Sequence, residues 1–261
     1  MTLVKHELRQ GRTALWIWTA SIGFLLMVCV FLFPEMKGEM ENIGDMFGSM
    51  GAFTDAFGMD QLNFGTLVGF YAIECGNVLG LGGAFYAAIC AAGILSKEEK
   101  DKTAEFLLTH PIRRTTVLTQ KLIAVMIQIT VLNAVVHVLS VGSMAIIGEA
   151  IPWKEINLMH IAYYFLQLEL GSICFGLSAF LRKGSLGAGL GIAIMLYFTN
   201  LISNMAEAAE FLKYITPFAY CEGADIVTNG ELDLLLIGLG CLFAVIGVGA
   251  AYWQYGRKDI Q

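Results

Sequence analysis

Charged and uncharged positions alternate along this chain on the scale of whole helices. Five stretches lack any Asp, Glu, Lys or Arg: 13–34, 75–96, 122–148, 184–206 and 234–256, each 22 to 27 residues long. A sixth, 156–181, is interrupted only by Glu169. A helix rising 1.5 Å per residue needs about 20 apolar residues to cross the hydrocarbon layer. The pattern therefore predicts an all-α integral membrane protein with six spans, at about 14–33, 65–95, 118–148, 158–181, 185–206 and 233–255. No repeat or low-complexity linker divides residues 1–261, so a single transmembrane domain is expected.

Composition agrees with this. Hydrophobic residues make up 57% of the chain and charged residues 15%, far from the balance of a soluble domain. The net charge of −6 excludes a nucleic-acid binder, which needs a basic face.

Six spans put both termini on one side. With that side cytoplasmic, the internal segments carry 13 of the 16 Lys and Arg residues, leaving only Lys37, Lys154 and Lys213 outside. That is the positive-inside bias. Trp16, Trp18, Tyr252 and Trp253 then fall at the inner edge, and Trp153, Tyr163 and Tyr164 at the outer edge, as aromatic belts require. The first apolar run exceeds a signal-peptide core and is expected to stay as an anchor.

The segments between spans differ in character. Residues 2–12 mix Leu3, Val4 and Leu8 with charges and read either as a short interfacial helix or as a solvated tail. The loop 35–64 pairs Met36 with Met40, Met46 with Met50 and Phe53 with Phe57, the i, i+4 spacing of surface helices. Segment 207–233, with Thr216-Pro217 and the Asn229-Gly230 turn, is too polar to span and too apolar for a linker. A re-entrant or surface-lying element is expected there.

The loop 97–121 carries the strongest functional signal. Ser96 and Glu99 have capping-box spacing, so a new helix can begin there, a straight continuation of span two being the equal alternative; Pro111 ends the element by pushing His110 out of helical geometry. A short helix results, charged in its first half and offering Ala104, Phe106, Leu107 and Leu108 in its second. A plain connector has no use for such a cluster; a docking surface does.

These residues resemble the membrane subunits of type-2 ABC transporters, most of which are exporters. The family's acidic start, Thr-x-Glu-x-Leu-Leu core, following Pro and basic positions look like Glu98 and Glu99, then Thr103, Glu105, Leu107, Leu108, Pro111, Arg114 and Lys121. Lys102 stands where the family often has Gly. The start Glu7-Leu8-Arg9 with Trp16 and Trp18, and Thr216-Pro217-Phe218 with Gly223-Ala224-Asp225, are similar to such permeases as well. The resemblance implies a permease subunit in the plasma membrane whose 97–110 element is a cytoplasmic coupling helix. It implies pairing with a second permease, identical or homologous, and with two copies of a cytoplasmic ATP-binding subunit. The chain has no G-x-x-x-x-G-K-[ST] loop, so no cofactor is expected on this chain and ATP-Mg is expected in the partner. By this reading the protein is not itself an enzyme.

Four polar residues in the spans are candidates for a translocation path: Glu169, His137, Asn133 and Glu74. A carboxylate at mid-membrane costs on the order of 3 kcal/mol by insertion scales, so Glu169 must contact cargo or ions, or be protonated and bonded to Gln167, His137 or another helix. Asn133 and His137 share a face of span three and suit bonds between helices. Glu74 is shallower. A stand-alone secondary transporter or channel using Glu169 and Glu74 is the alternative, opposed by the absence of Gly/Pro-broken helix pairs. No metal-ligand spacing links the four histidines. Gly65–Gly69, Gly76–Gly80 and Gly187–Gly191 have the G-x-x-x-G spacing of close helix contacts. Cys221 alone of the six cysteines lies outside the spans, where an impermeant thiol reagent should reach it.

Overall fold

The computed structural model describes residues 2–47, 54, 61–97, 113–181 and 186–257. All the regular structure among them is helical: α1 (Thr2–Phe47), α2 (Leu67–Cys75), a π-helical stretch (Gly76–Leu81), α3 (Gly82–Ala92), α4 (Arg114–Ile147), α5 (Trp153–Phe180), α6 (Leu186–Met205), α7 (Gly223–Asn229) and α8 (Leu234–Arg257), with 3-10 turns at Glu207–Tyr214 and Ala219–Cys221. Six helical segments are long and apolar enough to cross a bilayer, the second being α2, the π stretch and α3 in continuation. The Phe-Leu-Leu docking element, with Glu98, Glu99, Thr103, Glu105, Phe106, Leu107, Leu108 and Pro111, lies outside the described residues, as do Met50, Phe53 and Phe57.

The helices alternate in direction. Leu3 N donates to Gln120 Oε1 at one end of the bundle, and Lys37 pairs with Glu149 at the other, 3.1 Å apart, so α1 and α4 run parallel. The end bearing Thr2 and Arg257 is the terminal end, the opposite one the far end. α5 packs most extensively on α8 and α3, and α3 also on α6. α5 is thus the central post, its inward residues from Ile156 to Ala179 buried. The outer faces keep large apolar side chains exposed, among them Phe24, Val138, Leu235 and Val245, the condition a lipid-facing surface requires.

Two features depart from the sequence pattern. No break separates residues 2–12 from the first span: α1 runs unbroken through 46 residues to Phe47. Its amphipathic start is neither a tail nor a surface helix, because Glu7 is buried against lysines of the bundle and Gly11 lies against Gln128. Pro34 is accommodated inside α1, at the loss of one backbone bond. The second span contains a π stretch that opens on Gly76 and is followed by Gly82, where the sequence showed no interruption. Such stretches recur at functional sites.

Glycines decide the close crossings, but mostly not those with G-x-x-x-G spacing. A Cβ on Gly80 would lie 2.9 Å from the Tyr163 ring, so Gly76–Gly80 does mark a helix contact. Gly69 instead faces the Asn63 carbonyl within its own turn, and Gly191 faces open space. Among the described residues the tightest backbone-to-backbone crossing joins α5 and α8: a Cβ on Gly176 would sit 2.4 Å from the Gly247 carbonyl oxygen. These two glycines are 71 residues apart in sequence, beyond the reach of any spacing rule.

Candidate functional site

Polar side chains line the inner faces of the spans at several levels. At the terminal end, Glu7 of α1 is 3% exposed and bonds Lys97, just beyond α3, and Lys121 of α4, the latter fully buried at 3.2 Å. Lys121 also donates to the Ile94 carbonyl, 2.5 Å away. Beside this cluster a cleft of about 310 Å³ is lined by Gln10, Gly11, Tyr86 and Gln128, and Tyr86 donates to Gln128 at 3.2 Å. The cluster ties the first residue of the 97–121 loop to two spans. Sequence reasoning named Glu7 and Lys121 only as parts of separate motifs.

In mid-bundle Asn133 of α4 donates to Gln167 of α5 at 2.7 Å and to the Ile129 carbonyl at 2.9 Å. One turn on, the His137 ring stands edge-on to His160, with centroids 4.6 Å apart. His160 shares a hydrogen bond of 2.9 Å with the Tyr71 hydroxyl. Asn133 and His137 therefore do share one face, as their spacing predicts, and that face is turned to α5.

Glu169 points elsewhere. Two residues past Gln167, it meets the Tyr220 hydroxyl, which donates to Oε2 at 2.9 Å, and it packs on Gly240 of α8. Glu74 sits between α2 and α1, where the Cys29 thiol donates to it across 3.5 Å. The four expected path residues thus occupy three separate interfaces: α4–α5, α5–α8 and α1–α2. Of the docking residues only Arg114 is described. It opens α4 and donates to the Tyr255 carbonyl at 3.4 Å, joining the loop's exit to the end of α8.

The segment 207–233 folds back onto the far end of the bundle rather than lying free. Thr216, Phe218, Tyr220, Cys221, Ala224 and Ile226 are all buried. Tyr163 donates to the Cys221 carbonyl at 3.0 Å. Gly230, at φ +65°, closes α7 as the Asn-Gly pair predicts, since only glycine adopts that conformation freely. Cys221 is 3% exposed, so the expectation that a thiol reagent reaches it is corrected: Tyr163 and the neighbouring α2 cover it.

Within this segment Glu222 is held by two amides of α6, Asn200 and Asn204, both donating to Oε1. Burial raises its carboxyl above the usual range, with the two amides pulling the other way. Burial also raises Asp225, one turn along. The adjoining far-end cleft, about 810 Å³, is edged by Glu207, Glu210, Asp225, Glu231 and Asp233 against one lysine, Lys213. Among the described residues no group of His, Cys, Asp and Glu has the geometry of a metal site.

Residues 1–260 of the chain match a family model described as ABC-2 family transporter protein. The chain belongs to the ABC-2 transporter family. No curated protein matches the sequence. As an ABC-2 protein it is a multi-pass membrane subunit of an ABC transporter, and the family as a whole works with an ATP-binding partner. Such permeases are transport components and are generally not catalytic themselves.

Proposed function

We propose that this ABC-2 permease is the translocating subunit of an ATP-driven exporter in the plasma membrane, with both termini cytoplasmic. The 97–110 segment docks a separate ATP-binding subunit, two copies of which serve a pair of permeases, identical or homologous. The family match over nearly the whole chain carries this reading. The ion cluster of Glu7, Lys97 and Lys121 supports it, because it would make α1 and α4 move with the start of the docking segment. ATP-driven closure of the partner then biases the bundle between two arrangements, as any such coupling requires.

Co-expression of the chain with its ATPase in membranes tests the assignment. The wild-type pair should co-purify, and Glu105→Lys with Leu108→Asp should release the ATPase while leaving the permease folded. Transport that continues at full rate with no ATPase present would overturn the reading.

A further inference from the structure

At the far end, between α2, the π stretch, α6 and the returning segment, lies a pocket of about 60 Å³. Asn77, Tyr163, Tyr197, Asn200, Phe218 and Glu222 line it. Asn200 is 4% exposed, and its amide orientation is set by Glu222: the Nδ2 group donates to the carboxylate, which leaves Oδ1 turned away from it. That buried Oδ1 has no hydrogen-bond partner. An unmet buried acceptor is costly and asks for a donor. Glu222 in turn receives two neutral amides on a single oxygen and, among the described residues, no basic side chain.

The pocket thus presents acceptors, one formal negative charge and aromatic walls. We propose that it binds a primary ammonium group, either of a small soluble amine or of an ethanolamine lipid headgroup. An ammonium carries three donors and no acceptor, matching Asn200 Oδ1, the Glu222 carboxylate and the Asn77 side chain. One carboxylate balances one positive charge, which disfavours a divalent ion. Tyr197 and Phe218, in edge contact with ring centroids 5.4 Å apart, supply the ring surfaces that attract organic cations. The volume holds a few water molecules' worth of ligand, enough for an ammonium and its first carbons. A quaternary ammonium has no donor for Asn200. The site touches the π stretch at Gly76 and Asn77, so an occupant bridges the deformed turn of the second span to α6 and the returning segment.

The test uses the full chain in phosphatidylcholine nanodiscs, followed by thermal unfolding. Ethylammonium chloride should raise Tm saturably, by several degrees, while sodium chloride and tetramethylammonium chloride at equal ionic strength should not. Glu222→Gln and Asn200→Ala should remove the ethylammonium shift. Asn77→Ala, at an exposed position, leaves folding intact and should weaken the shift at least threefold in half-saturating concentration. With phosphatidylethanolamine in the nanodisc, a raised baseline Tm and a lost ethylammonium response identify the lipid headgroup as occupant; an unchanged response identifies a soluble amine. An equal shift with sodium, no shift at all, or a shift unchanged in both Glu222→Gln and Asn77→Ala overturns the proposal. No ATPase is needed for these measurements, so their failure and the failure of ATPase docking are distinguishable.

Discussion

Replacing Glu7 with Gln keeps the side chain's shape and removes its charge. The fully buried Lys121 ammonium, 3.2 Å from Glu7 Oε1, then loses its carboxylate partner in this cluster and keeps its bond to the Ile94 carbonyl. Breaking a buried pair by removing one partner costs about 3–5 kcal/mol, most of it the penalty of an uncompensated charge. Lys97 is a quarter exposed, so Lys97→Met should cost no more than about 1 kcal/mol. The double variant Glu7→Gln with Lys121→Met removes both buried charges and should recover most of the loss, because apolar replacement of a buried pair is often neutral. Equilibrium unfolding in detergent, with a double-mutant cycle, measures these terms. If Glu7→Gln costs less than about 1 kcal/mol, or if the double variant is simply additive, the cluster does not hold α1 to α4 and the argument for coupled movement fails.

Two further outcomes are expected. Gly247→Leu should destabilise the chain by about 1–3 kcal/mol, since even its Cβ would lie 2.7 Å from the Ser172 carbonyl oxygen; Gly249→Leu, facing open space, should stay within about 0.5 kcal/mol in the same unfolding assay. Burial raises the Glu222 carboxyl, so the folded chain holds that proton more tightly than the unfolded chain does. Its contribution to stability is full below the usual carboxylate range and is lost as pH rises through the raised value. Asp225, the charged neighbour along α7, pushes in the same direction. The amides of Asn200 and Asn204 oppose it. Tm measured against pH should therefore fall across this window in the wild type, and Glu222→Gln should flatten the fall.

Contacts between near neighbours in sequence are legible in the residue pattern; contacts between distant segments are not. Asn133 and His137 lie one helical turn apart, so their common face followed from spacing, and so did the helix closure at Asn229-Gly230. Glu169 was legible as a residue needing a partner, yet the partner proved to be Tyr220, carried in by a connecting segment. Cys221 was read as accessible because its segment is polar overall; the fold-back that buries it depends on Tyr163 and α2, which no local pattern includes. The continuity of α1 is not legible in residues 2–12, which look amphipathic. What makes them helix and bundle at once is a carboxylate meeting lysines 90 and 114 residues away.

Six crossings and the choice of class were determined by the sequence alone, because hydrocarbon thickness and the cost of charge within it act on each run of residues by itself. The placement of Glu7 between two lysines, the π stretch seated against Tyr163, the Gly176–Gly247 crossing and the pocket beneath Glu222 were decided only by tertiary structure. Each is an encounter between side chains or backbones brought together from separate helices, and its energy does not exist until the helices have packed.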